Sequence, residues 1–346
     1  MSQTLTFPAP PRILAGAAVC GPREGQGPLH EDFDYIFDKQ RWSNLSFEQC
    51  EQQMQEKAAR LALAKAGLEA GQADLLCGGD LINQITPSGY TARQLGLAYW
   101  GLFSACATLG QALSVAALAV HGGAARYALA LSGSHTCTAE RQFRYPNEYG
   151  AQKPPYAQHT VTACGAALLA PAQEKPRPSP GSSQPYAATL AAYTVGRVCD
   201  ERLTDPFQVG AAMAPAFADT VATHLRERQL TPDYYDLILS GDLGRDGLAI
   251  GLELLRLAGV EVESTVFGDC GLLLLGQLPA PMAGGSGCGC AAGAFCGHLL
   301  KRLQSGELKR ILLCPTGALF SPVANQQKES IPAICHAVAI ETTPLC

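Results

Sequence analysis

The chain has 346 residues, 47% of them hydrophobic and 16% charged, with a formal net charge of −5. This much apolar material excludes a disordered chain and suffices for two compact units or one large one. The mild acidic balance, 30 Asp and Glu against 25 Lys and Arg with no basic run, argues against a nucleic-acid footprint or a polybasic membrane anchor.

The opening residues MSQTLTFPAPPRIL lack the basic start and apolar run of a secretory signal. Fourteen Cys in 346 residues fall well below the roughly 8–10% of small disulfide scaffolds. Free thiols in a reducing, intracellular space are therefore expected. The spacings CGC at 288–290 and Cys296 with His298 supply no paired CxxC, so no structural metal is expected.

In chain order, an amphipathic helix is predicted over residues 48–66, then a short buried strand in ADLLCGGDL (73–81). Residues 94–125 follow, 32 positions without Asp, Glu, Lys or Arg, and residues 270–300 form a second charge-free stretch of 31. Either is long enough to span a bilayer. The first, however, contains Gln94, Gln111 and His121, and the second is broken by Pro279, Pro281 and a Gly cluster at 284–289. Both are read as core helices of a large protein, which can be apolar all round.

An internal repeat supports that reading. ADLLCGGDL (73–81) matches YDLILSGDL (235–243), each after an amphipathic helical stretch, with Asp80 and Asp242 in equivalent places. SACAT (104–108) faces SGCGC (286–290), and the strand-like runs ARYALALSG and LKRILLCPTG face each other with Arg126 on Arg310. Each half reads helix, strand, helix, Cys turn, charge-free helix, strand. Residues 171–187, with five Pro, read as a connection. The expected organisation is thus an N-terminal half over 1–170, the connection over 171–187 and a C-terminal half over 188–346. Strands alternating with helices imply mostly parallel sheets, and two such halves stacked on their central helices make a five-layer α/β sandwich.

These residues resemble the thiolase superfamily, whose fold is a duplicated αβαβα sandwich of two pseudo-symmetric halves. ALALSGSHTCTAERQFRYP (128–146) followed by TACGAALLA (162–170) looks like its β-ketoacyl synthase III branch. Within the superfamily, CGPREGQGPL (20–29), AERQFRYPNEYGAQKP (139–154), VGRVCD (195–200), GAAMAPAFADT (210–220) and NQQKESIPAICH (325–336) are similar to the stage V sporulation protein AD family, from end to end of the chain. That resemblance implies a binding protein for dipicolinic acid (pyridine-2,6-dicarboxylate), acting in dipicolinate movement during spore formation and germination. Other SpoVA membrane proteins would be its partners, and it would associate peripherally with the spore inner membrane. The resemblance allows a homodimer and implies no cofactor beyond Ca²⁺ accompanying the ligand.

The superfamily also implies where chemistry would sit. Its nucleophilic Cys, at the start of the first central helix, falls on Cys106. The condensing enzymes add a His after the first strand of the second half and a His or Asn before the second central helix. Those places hold Gly241–Asp242 and Gly285, and the Gly-rich oxyanion loop falls on TGALFS (316–321), with most of its Gly gone. An exposed Asp242 would be ionised near pH 7 and unable to donate to an oxyanion. A non-catalytic binder is therefore expected. The alternative is an acyltransferase or condensing enzyme with Cys106 as nucleophile and His135 beside it.

For a flat dicarboxylate the candidate ligand residues are Cys106, Gly285 and Ser286 at the two helix starts, His135, and Arg141 for its bidentate fork. Arg144 is expected in an ion pair with Glu140 or Glu148. Asn83 and Ser286 offer uncharged donors. Asp80 and Asp242, at the ends of equivalent strands, either cap helices or share a Ca²⁺ with the ligand.

Overall fold

The short apolar runs bounded by Gly fold as strands buried on both faces, so that Ala128–Ser134 and Ala163–Ala170 expose no residue. The structure, a computed structural model, describes residues 2–143, 154, 156–175, 185–263, 265–276, 283–319 and 321–345. In chain order the first half supplies β1 (Thr4–Thr6), β2 (Arg12–Cys20), β3 (Tyr35–Ile36), α1 (Phe47–Lys65), β4 (Leu75–Gly79), α2 (Thr86–Leu95), β5 (Ala98–Gly101), α3 (Thr108–His121), β6 (Ala128–Ser134), α4 (Thr136–Phe143), β7 (His159–Thr160) and β8 (Ala163–Ala170). The second supplies β9 (Tyr186–Thr194), α5 (Val209–Arg228), β10 (Leu237–Ser240), α6 (Gly244–Leu257), β11 (Phe267–Asp269), α7 (Cys270–Leu275), β12 (Gly285–Ser286), α8 (Gly289–Gly293), α9 (Leu300–Ser305), β13 (Arg310–Cys314), β14 (Thr316–Ala318), α10 (Pro322–Gln326), β15 (Ala333–Cys335) and β16 (Ala337–Pro344).

The repeat seen in the sequence is a repeat of topology. Two five-stranded sets run β5-β4-β6-β8-β2 and β11-β10-β13-β16-β9, joined by one short antiparallel pairing of Arg12 with Thr189 and Ile13 with Ala188. In each set the first two pairings are parallel and the last two antiparallel. The expectation of mostly parallel sheets is corrected by β8 and β16. These strands return beside their parallel neighbours in the opposite sense, an arrangement that needs no helical crossover.

Helices cover both outer faces and fill the middle. Met54, Ala58 and Ala62 of α1 pack on the outer face of the first sheet through Leu129, Leu131 and Leu168. Ala214, Phe217 and Val221 of α5 do the same for the second through Ile238 and Leu312. Between the sheets, Leu109, Leu113 and Ala117 of α3 share one core with Cys290, Ala291 and Ala294 of the other charge-free segment. That segment runs from α8 through a π-helical stretch, Ala294–Leu299, into α9. It lies so close to β8 that a Cβ on Gly165 would stand 2.2 Å from the Ala292 carbonyl oxygen. Among the described residues, no helix is long and apolar enough to cross a membrane.

Candidate functional site

The turn that enters α3 holds Cys106 in a strained frame. Ala105 has φ 48°, a left-handed conformation that costs a non-glycine residue roughly 1–2 kcal/mol. Side chains around it offset that cost. Thr108 Oγ1 accepts from the Ser104 N–H at 3.2 Å and donates to the Ala105 carbonyl at 2.6 Å. Ser104 Oγ donates to Gln111 Oε1 at 2.8 Å and lies 3.3 Å from His336 Nε2. Cys106 is left half-buried between these anchors.

Opposite the thiol stands Asp242, fully buried at the end of β10. Its carboxyl accepts from the Gly287 N–H at 2.8 Å and from Thr316 Oγ1 at 3.0 Å, and the Cys106 thiol is near enough for the two groups to act on each other's ionisation. Burial raises the Asp242 pKa to about 7, although these donors pull it down. Burial first, and the Asp242 charge second, push the Cys106 thiol well above its ordinary range. A helix N-terminus favours a thiolate, yet here desolvation beside a carboxyl outweighs it, and Cys106 is a thiol. Asp242 in turn is not the fixed anion expected of an exposed carboxylate.

Two further elements close the frame. Gln158 Nε2 donates to the main-chain oxygens of Asp242 at 2.6 Å and Gly285 at 2.8 Å, tying the two loops together. β14 lays Gly317 directly on the Cys106 turn, where a Cβ would stand 2.3 Å from the Ser104 oxygen and 3.2 Å from the Cys106 nitrogen. The loop that lost most of its Gly has kept the one this approach requires.

Above the thiol opens a narrow cavity of about 50 Å³. Its apolar wall includes Leu81, Ala139, Phe143, Val209, Met213 and Ala318, and its polar atoms come from Cys106, Thr160 and Ser286. Among the described lining residues there is no charged side chain.

Of the residues singled out in the sequence, the structure brings together Cys106, Asp242, Gly285 and Ser286. The last lines the cavity, and Gly285 contributes backbone. The others stand elsewhere. His135 is buried with Nδ1 accepting from the Cys137 N–H at 3.1 Å and Nε2 facing the Gln40 oxygen at 2.8 Å. Burial lowers its pKa, so it is a neutral loop anchor. Arg141 points outward from α4, paired with Glu48 and stacked over Phe47, while Ala139 and Phe143 of the same helix face the cavity. Asn83 is exposed and exchanges hydrogen bonds with Gln142. Arg144 and Glu148 lie outside the described residues. Asp80 accepts from the Ile82 N–H and from the N–H and hydroxyl of Ser88. It fastens the loop into α2. Both Asp80 and Asp242 are thus engaged by their own protein donors. Sequence reasoning placed the TGALFS loop but gave no role to its Thr316 and Gly317, and it missed Gln158 and the apolar wall, since residues so far apart in the chain carry no local signal of convergence.

The comparisons agree with this fold. Among solved structures, 3-oxoacyl-[acyl-carrier-protein] synthase III from Aquifex aeolicus superposes with a TM-score of 0.58 at 13% identity, over 96% of this chain and 99% of that one. Cerulenin-bound OleA from Xanthomonas campestris superposes with a TM-score of 0.61 at 14% identity, over 97% and 98%. At such identities these neighbours show the thiolase-like fold alone. Stage V sporulation protein AD of Bacillus subtilis (strain 168) is 42% identical over 339 residues, 98% of this chain and 96% of that protein. The family model described as stage V sporulation protein AD matches residues 1–341, and the chain belongs to that family.

Proposed function

We propose that this chain is a non-catalytic binding protein for dipicolinic acid, acting in dipicolinate movement during spore formation and germination. The observation that carries the reading is the site of Asp242, fully buried beside Cys106 after β10, where its charge adds to burial in pushing the thiol up. Where the superfamily's condensing enzymes place a His, a buried carboxyl keeps the thiol protonated. Where they place a His or Asn, Gly285 has no side chain. A thiol so held is a poor nucleophile, and proton removal from an acyl partner lacks its usual base. The cavity itself is kept. Leu81, Phe143 and Met213 suit the faces of a pyridine ring, and the Thr160 and Ser286 hydroxyls with the first turn of α3 suit a carboxylate. Membership of a sporulation-protein family supports the setting. In this reading the chain works at the spore inner membrane beside other SpoVA membrane proteins, as a single copy or a homodimer, and takes dipicolinate free or with Ca²⁺.

Calorimetric titration with dipicolinate, in the presence and absence of Ca²⁺, tests the reading. Saturable binding to the wild type that is lost in Ala318→Trp is expected, because the indole would fill the space above Cys106. An absence of binding in the wild type, or an acyl adduct on Cys106 after incubation with acyl-CoA, would overturn it.

A further inference from the structure

Resting on the reading above, we infer that His336 is the positioning residue of the Cys106 turn. Its ring holds Ser104 from behind, and that hold sets where Ala105 and Cys106 meet the ligand. His336 closes the NQQKESIPAICH stretch and stands directly before β16, 232 positions along the chain from Ser104. Several segments converge on it. Its backbone N–H donates to the Pro315 carbonyl at 3.2 Å, in the loop between β13 and β14 that leads into Thr316. Its backbone oxygen and Cβ lie against Gly110 of α3, where an added Cβ would stand 3.2 Å from each. Gly196, just past β9, comes so close that a Cβ there would stand 1.8 Å from the Cys335 oxygen, an approach open only to glycine. The Gly196 N–H thereby reaches His336 Nδ1 at 3.4 Å. On the other side of the ring, Nε2 lies 3.3 Å from Ser104 Oγ.

These contacts fix the direction of each proton along the line. A ring nitrogen that accepts from an N–H carries no proton of its own, so the single proton of a neutral imidazole here sits on Nε2. The ring is buried, and burial lowers its pKa to about 4, so it is neutral near pH 7. Nε2–H therefore donates to Ser104 Oγ. The Ser104 hydroxyl gives its own proton to Gln111 Oε1 at 2.8 Å and keeps a lone pair with which to accept. Gln111 lies on α3 itself, so Gly196, His336, Ser104 and Gln111 tie the second half of the chain to the first central helix. Thr108 secures the backbone of Ser104 and Ala105, whereas His336 and Gln111 secure the Ser104 side chain. Ala105 and Cys106, the next two residues, line the cavity. A left-handed Ala105 persists only where its surroundings over-determine it, and His336 is the side chain from the other half that does so.

The test compares His336→Gln, whose amide still presents a donor at the Nε2 position, with His336→Phe, which keeps a ring and loses both nitrogens. Dipicolinate calorimetry, the rate of Cys106 labelling by iodoacetamide and urea unfolding are measured on each. His336→Phe should bind dipicolinate roughly tenfold more weakly and label faster than wild type, because a loosened turn lets the thiol leave its buried place. His336→Gln should return affinity and labelling to within about threefold of wild type. A merely structural histidine would instead lower stability in both variants and leave affinity and labelling of the folded protein unchanged. Should His336→Phe fail to fold, Ser104→Ala breaks the same contact from the other side and should weaken binding by a similar factor. Where both fold, the double variant should be no weaker than the more affected single one, since the two act through one hydrogen bond. Nitrogen-15 NMR of histidine-labelled wild type reads the tautomer, and a protonated Nε2 with a bare Nδ1 is expected at His336. A proton on Nδ1, or wild-type affinity and labelling in His336→Phe, would overturn the inference. A wild type that binds no dipicolinate would overturn the binder reading, while the NMR and labelling results would still decide the role of His336.

Discussion

The Cys106 thiol and the Asp242 carboxyl meet across the two halves of the duplicated chain, the first from the turn into α3 and the second from the end of β10. The two effects differ in sign: the Asp242 charge opposes ionisation of the thiol, whereas the thiol favours the carboxylate. Thiolates alkylate and thiols do not. Cys106 should accordingly label with iodoacetamide more slowly at pH 7 than free cysteine, as followed on its own peptide by mass spectrometry. Asp242→Asn removes the charge that raises the thiol, and labelling should then quicken. A wild-type Cys106 that labels faster than free cysteine would contradict this account of the site.

Arg141 is the charged residue whose chemistry best suits a carboxylate ligand, and its position removes it from that role. It pairs with Glu48 on the outer side of α4, half-exposed. Exposed pairs of this kind contribute about 0–1 kcal/mol. Arg141→Ala should leave dipicolinate affinity within twofold of wild type and lower stability by no more than about 1 kcal/mol. A tenfold loss of affinity by calorimetry would bring α4's outer face into the site.

The sequence carried the layers well and the site only in part. Charge-free stretches, Gly-bounded apolar runs and the pairing of 73–81 with 235–243 all report burial and local period, and the fold follows them closely. Asp80 and Asp242 show the limit. They are equivalent by topology, yet one fastens the loop into α2 and the other meets Cys106. What separates them is which residues arrive from distant segments, Ser88 in one case and Gly287 with Thr316 in the other. His135 misled for the same reason, since a backbone oxygen at Gln40 claims its ring. Burial also changed a charge state that composition could not foresee, moving Asp242 from a fixed anion to a group poised near neutrality.

Gly317 gives a structural check on the frame. Its nearest would-be contacts are backbone atoms of Ser104, Cys106 and Ala107, and backbone cannot swing aside as a flexible side chain can. Gly317→Ala should therefore destabilise the protein by about 1–3 kcal/mol through overpacking and displace the Cys106 turn. Urea unfolding and the dipicolinate titration check the two consequences. Wild-type values for both would mean that β14 does not bear on the turn.

Glu24 offers a test of the fold's electrostatics away from the cavity. It lies in the CGPREGQGPL stretch, fully buried, with Oε1 accepting from the Thr162 N–H at 2.9 Å and Oε2 without a partner. Burial raises its pKa to about 7, against the pull of that N–H and of Arg23. An unfolded Glu titrates near 4.3. Between these two values the folded protein binds more protons than the unfolded chain, so this contribution to stability is complete below the lower value and is lost as pH rises through the upper one. Buried His224 and His336, lowered to about 3 and about 4, act in the opposite direction below their unfolded pKa. They are present in both proteins of the comparison and cancel. Glu24→Gln cannot titrate, and from pH 5 to pH 8 the wild type should lose stability relative to it by an amount on the order of 3 kcal/mol. Unfolding free energies of the two proteins, measured in urea across that range, should diverge accordingly. A difference that stays flat with pH would place the Glu24 carboxyl in contact with water.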